Sequence, residues 1–133
     1  MNSGKLHFIV IDDSKLDCLI AEKMIQNTHL SSGTLTFTMA TDALEFIAQN
    51  EPPAHTVLFV DIQMPIMNGF EFIESFEKLP EHTRAQYSVA VVSSSINESD
   101  IARANSYADV KRFINKPLTS NTIAALVAEL HLP

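Results

Sequence analysis

The chain alternates between short apolar runs that stop on polar residues and longer segments whose apolar side chains recur every three or four positions. Leu6 to Ile11 reads as a first buried strand; it ends on Asp12-Asp13, and Ser14-Lys15-Leu16-Asp17 then opens a helix like a capping box. Leu16, Leu19, Ile20 and Met24 repeat at helical spacing, which predicts the face this helix lays on a sheet, and the helix ends between Thr28 and Ser32. Gly33 introduces Leu35-Thr36-Phe37-Thr38-Met39, whose strict alternation suits a strand at an edge or with one less-buried side. A second helix, capped by Thr41 or Asp42, carries Ala43, Leu44, Ile47 and Ala48 and stops at Glu51-Pro52-Pro53.

The third run, Val57-Leu58-Phe59-Val60, is apolar at consecutive positions, as in a strand buried on both faces of a parallel sheet, and it ends abruptly on Asp61. Pro65 cannot continue the ladder, and Asn68-Gly69 supplies a turn or cap before the spacing of Phe70, Ile73 and Phe76 begins. Asp61 therefore lies at a strand-to-helix loop. That third helix runs to about Leu79-Pro80, and Glu81 to Gln86 is a polar connection. Ser88 to Val92 is a fourth strand ending in Ser93-Ser94-Ser95, and Asn97 caps a fourth helix through about Tyr107. Lys111 to Asn115 is a short fifth strand ending at Lys116-Pro117; Thr119 or Ser120 starts a last helix, with Ile123, Leu126, Val127 and Leu130 on one face. Five strands alternating with five helices predict one doubly wound parallel α/β domain over residues 1–133, because parallel strands need helical crossovers on both faces.

Composition narrows the function. A net charge of −7 speaks against nucleic acid or an anionic membrane surface as partner. The one cysteine, Cys18, can form no internal disulfide and reads as a packed thiol, which suits a reducing cytoplasm. Lys5 and the brief run Phe8 to Ile11 are too short for a signal segment or a membrane span. The histidines at 7, 29, 55, 82 and 131 have no metal-ligand spacing and read as surface residues.

In a parallel sheet the ends of the strands meet at one edge, where open α/β sheets bind ligands. Asp12, Asp13, Asp61, Ser93 and Lys116 all fall at such ends. Each alone is ordinary: a cap, a loop hydroxyl, a solvated lysine. Together they are a constellation. Three clustered carboxylates call for a cation, and oxygen donors without Cys or His favour Mg²⁺. With Lys116 adding a second positive charge, the set suits phosphoryl transfer, with Asp61 as a nucleophile that forms an aspartyl phosphate and Ser93 as a donor to a phosphoryl oxygen.

These residues resemble the receiver domain of two-component response regulators, through Asp12-Asp13, the segment Asp61-Ile62-Gln63-Met64-Pro65-Ile66-Met67-Asn68-Gly69, Ser93 after Val91-Val92, and Lys116-Pro117. The motifs span nearly the whole chain. The resemblance implies a flavodoxin-like sheet of order 2-1-3-4-5. It implies that Asp61 takes a phosphoryl group from a sensor histidine kinase or histidine phosphotransfer protein. It also implies that Asp13, Asp61 and the main-chain carbonyl of Gln63 bind Mg²⁺, that Asp12 holds a metal water, and that Lys116 contacts the phosphoryl group through a loop whose bond to Pro117 is a candidate cis peptide. The family's switch would couple Ser93 to Phe113, and Gln63 and Ser95 would modify phosphate lifetime. Lys15 and Leu16 are a candidate kinase-docking patch.

The resemblance further implies a signalling module and not an enzyme in the ordinary sense, which binds a downstream protein when phosphorylated. A stand-alone receiver without an output domain is the expectation, and homodimerisation stays open. The chain departs from the usual pattern in having Ser at 93, Phe without a hydroxyl at 113, and Ser106 to Arg112 in place of the frequent Gly-Ala turn. Two other readings share the residues: a phosphate-independent scaffold, and a Mg²⁺-dependent phosphatase of the haloacid-dehalogenase type. The phosphatase would want an acid where Gln63 stands.

Overall fold

The computed structural model describes residues 5–95 and 97–130. The elements run β1 (Leu6–Ile11), α1 (Lys15–Asn27), β2 (Ser31–Phe37), α2 (Ala40–Gln49), β3 (Thr56–Asp61), α3 (Gly69–Phe76), α4 (Glu81–Arg84), β4 (Tyr87–Ser93), α5 (Glu98–Asn105), β5 (Val110–Asn115) and α6 (Ser120–Glu129). The strands form one parallel sheet in the order β2-β1-β3-β4-β5, the predicted flavodoxin-like arrangement. Its register pairs Ile11 with Val60, Asp61 with Val92 and Ser93 with Asn115, so these strands finish at one edge.

Two apolar layers hold the sheet. Ile9, Ile11, Leu58, Val60, Val89 and Val91 pack with Ile47 of α2 and Phe72, Ile73 and Phe76 of α3. Phe8, Val10, Val57, Phe59, Ala90 and Val92 pack on the other face with Ile25 of α1 and Ile123 and Leu126 of α6. Strand β3 is buried at all six positions, which is why it shows no alternation in sequence.

Helix starts follow the predicted chemistry at four places. The Ser14 hydroxyl accepts from the Asp17 N–H, Asn68 and Glu71 form a reciprocal capping box, Asn97 accepts from the N–H groups of Ser99 and Asp100, and Thr119 accepts from Thr122. Helix α2 does not follow it. It starts at Ala40 with Met39 as an uncapped N-terminal residue, and Asp42 sits inside the first turn, where its charge meets the positive end of the helix instead of capping it.

Four further expectations are corrected. Helix α1 buries Cys18, Ala21 and Ile25, while Leu16, Leu19 and Ile20 are 65%, 62% and 41% exposed. The small side chains at 18 and 21 let the helix lie close to the sheet, so the leucine stripe is turned outward. Strand β2 starts at Ser31, contains Gly33 and stops at Phe37, because its backbone pairs with β1 from Leu6 onward through a register shift between Leu6 and His7. The chain has six helices among the described residues and not five: α3 stops at Phe76, and the polar connection coils into the single turn of α4 after Pro80. His7 and His55 are half-buried, and the His55 Nε2 lies 2.7 Å from the buried hydroxyl of Ser88; His29 and His82 are exposed, and the predicted surface position of His131 lies outside the described residues. No helix among the described residues is long and apolar enough to cross a membrane.

Candidate functional site

At the edge where the strands finish, the carboxylate oxygens of Asp12, Asp13 and Asp61 come within 4.8 Å of one another. Asp61 closes β3 and is 8% exposed, Asp12 follows β1 and is 5% exposed, and Asp13 faces solvent. Lys116, reached from β5, points its ammonium into this group: its Nζ is 2.7 Å from Asp12 Oδ2, 2.9 Å from Asp17 Oδ2 and 3.8 Å from Asp61 Oδ1. The Lys116–Pro117 peptide is cis.

Local bonds position these side chains. The other oxygen of Asp12 accepts from the Ser14 N–H at 2.9 Å, and its main-chain carbonyl accepts from the Cys18 thiol at 3.3 Å. The Lys116 N–H donates to the Ser93 carbonyl at 2.8 Å, tying the β5 exit to the end of β4. Gly69 donates to the Ile62 carbonyl at 2.8 Å, which closes the loop after Asp61. Between them Ile66 takes a left-handed φ of 70°, a conformation that branched side chains rarely adopt, with its side chain 80% exposed.

Of the predicted residues, Asp12, Asp13, Asp61 and Lys116 are brought together. The buried Ser93 hydroxyl stays within its own loop: it accepts from the Ser95 N–H at 3.1 Å and donates to the Ser95 carbonyl at 3.3 Å. Phe113 pairs across the sheet with Val91 and packs half-buried against the α2–α3 side of the core. Gln63 and Ser95 are exposed beside the site, and Lys15 and Leu16 are exposed at the start of α1. Asp17 was read only as part of a cap. Its contact with Lys116 joins residues 99 positions apart, and no local pattern carries it.

A cavity of about 230 Å³ opens beside the cluster, lined by Asp12, Asp17, Ile20, Ala21, Lys116, Pro117 and Leu118. Three carboxylates, with no imidazole or free thiolate among them, make a donor set that fits a hard cation such as Mg²⁺. The Cys18 thiol is pushed up to about 11 by burial and by the Asp12 charge, which keeps it protonated and inert.

Burial, then the charges of Asp12 and Asp13, push the Asp61 carboxyl up to about 6, against the pull of Lys116 and the Gln63 N–H. Burial works against the Lys116 ammonium too, but its bonds to Asp12 and Asp17 outweigh that and hold its pKa above the usual lysine range. A carboxyl held at about 6 when folded, against 3.8 ordinarily, binds more protons folded than unfolded between those values. Its contribution to stability is therefore present at low pH and lost as pH rises through 6. In metal-free buffer the stability of the wild type relative to Asp61→Asn is expected to rise by about 1.3 kcal/mol from pH 7 to pH 5. Burial lowers the His7 and His55 pKa values, so these groups act in the opposite sense, but they are common to both proteins and cancel. Urea midpoints at the two pH values read the difference, and a difference independent of pH would rule out a raised Asp61.

A family model, described as the response regulator receiver domain, matches residues 8–128. A response regulator receiver protein from Dyadobacter fermentans is 32% identical, with 93% of this chain and 96% of that one aligned and a TM-score of 0.85. A two component response regulator from Cytophaga hutchinsonii is 25% identical, with coverages of 95% and 96% and a TM-score of 0.82. The Hybrid signal transduction histidine kinase L of Dictyostelium discoideum is 24% identical over 120 residues, which are 90% of this chain but 7% of that much longer protein.

Proposed function

The chain belongs to the response regulator receiver domain family, and on that premise we propose that Asp61 is a phosphoacceptor, charged by the phosphohistidine of a sensor histidine kinase or histidine phosphotransfer protein. The observation that carries this reading is the convergence of Asp12, Asp13 and Lys116 on a carboxylate at the end of a central strand. An Asp61 oxygen attacks phosphorus in line with the histidine nitrogen; the O–P bond forms as the P–N bond breaks, and the imidazole leaves. Asp13, Asp61 and the main-chain carbonyl of Gln63 would hold Mg²⁺, with Asp12 on a metal water. The ion would neutralise charge on the transferring oxygens. Lys116 provides a second positive charge from the β5 side, and the buried wall of β3 and β4 orients the nucleophile toward the opening.

Signalling then runs through Ser93 and Phe113. The Ser93 hydroxyl gives up the Ser95 carbonyl for a phosphoryl oxygen, and Phe113 repacks toward the space this leaves, biasing the β5 surface for a downstream protein target. The exposed Lys15, Leu16 and Leu19 of α1 stand beside the site and offer the histidine donor a docking face of two leucines and one cation. The module promotes only its own phosphorylation and dephosphorylation, in a reducing, cytoplasmic setting that suits its single buried thiol.

Intact mass after incubation with acetyl phosphate and magnesium tests this reading. One phosphoryl adduct is expected on the wild type, absent without the metal and absent in Asp61→Asn. An unmodified wild type, alongside a control receiver that labels, would leave a phosphate-independent scaffold.

A further inference from the structure

Lys116 divides its ammonium between two carboxylates on the α1 side. Asp12 and Asp17 accept from it at 2.7 and 2.9 Å, while the nearest oxygen of Asp61 stands 3.8 Å away. The first two are charge-assisted hydrogen bonds, and the third is about an ångström too long to be one. Asp17 has none of the roles assigned above. It lies one turn beyond the acidic pair, and its side chain is 40% exposed against 7% for Asp12. It lines the mouth of the cavity with Ile20 and Leu118.

We propose that Asp17 is a positioning residue that holds Lys116 toward α1 in the unphosphorylated protein and releases it to the phosphoryl group on Asp61. The inference rests on Asp61 being the phosphoacceptor. Three physical points carry it. An ammonium has three donors, and the two committed to carboxylates hold it on the α1 side, 3.8 Å from the nearest Asp61 oxygen, so moving onto a phosphoryl group at Asp61 stretches one of these bonds. A phosphoryl group carries a charge of about −1.5 to −2, which outbids a single carboxylate, and it would sit on the more buried side of the lysine, where screening is weaker. The half-exposed Asp17 carboxylate regains water when released, whereas Asp12 is buried and additionally held by the Ser14 N–H. Asp17 is thus the partner that yields, and until it does its charge also repels an anionic phosphodonor entering the cavity. It acts as a brake on loading.

The test uses the full chain with acetyl phosphate and magnesium. Asp17→Asn keeps the shape and the backbone N–H that Ser14 caps, and Asp17→Glu restores the charge. The adduct is expected to form about threefold faster in Asp17→Asn, in keeping with the loss of one half-exposed ion pair, and Asp17→Glu is expected to return toward the wild-type rate. The ¹⁵N signal of the Lys116 Nζ supplies a readout that a merely structural role would not move. It is expected to shift in unphosphorylated Asp17→Asn in the same direction as in wild type loaded with beryllofluoride. Wild type that labels while Asp17→Asn labels no faster, or a Lys116 signal indifferent to Asp17→Asn, overturns the inference alone. A wild type that takes no adduct overturns the phosphoacceptor reading and this inference with it.

Discussion

Lys116→Met is expected to lose about 3 kcal/mol of stability in magnesium-free buffer near neutral pH, the lower end of what removing one partner from a buried ion pair costs. The substitution leaves Asp12 and Asp61, 5% and 8% exposed, facing each other without the cation that now lies 2.7 and 3.8 Å from them. Part of the strain is relieved by protonation, because Lys116 is one of the two influences that pull the Asp61 pKa down from still higher values. The functional consequence is separate: without the Lys116 charge beside the phosphoryl oxygens, the variant is expected to label with acetyl phosphate and magnesium only in traces. Magnesium substitutes for the lost charge, and at about a hundred times its Kd it is expected to return about 2.7 kcal/mol. Urea unfolding with and without the metal checks this. Equal midpoints for wild type and variant in metal-free buffer would show that Lys116 does not neutralise the cluster.

Gly69→Ala is expected to be the most damaging single-methyl change near the site. A Cβ at position 69 would lie 2.4 Å from the Asp61 carbonyl oxygen and 2.8 Å from the Ile62 Cα, both backbone atoms. Nothing flexible can give way, so the loop must move off the end of β3 and take the Asp61 main chain with it. Overpacking of this kind costs about 1–3 kcal/mol, and a backbone clash belongs at the top of that range. Gly33→Ala is the matched control, since its Cβ would meet only the His7 ring, at 3.2 Å. Chemical denaturation ranks the two, and adduct formation is expected to fall in Gly69→Ala even where the protein is fully folded. Equal midpoints for the two variants would mean that the β3–α3 loop relaxes more freely than its contacts indicate.

Much of the site was readable before any geometry because its residues sit where strands stop. Runs such as Val57 to Val60 must be buried on both faces, and a carboxylate that ends one must lie at the sheet edge. Asn68, Asn97 and Thr119 announced helix starts because a cap is a bond between near neighbours. The short α4 was missed because Pro80 looks like a terminator, although a proline is equally at home just ahead of a helical turn.

What the sequence by itself determined is the alternation of elements, the parallel sheet that follows from it, and the placement of Asp12, Asp13, Asp61, Ser93 and Lys116 at strand ends, all set by local spacing. The tertiary structure alone decided which face of α1 is buried, since helical periodicity marks an apolar stripe but not the closeness of packing that favours Cys18 and Ala21 over Leu16 and Leu19. It alone decided that Lys116 is shared with Asp17, because that contact needs β5 laid in the sheet and α1 folded across its end. Spacing along a chain fixes local structure, whereas a charge takes its partners from whatever the completed fold sets within reach.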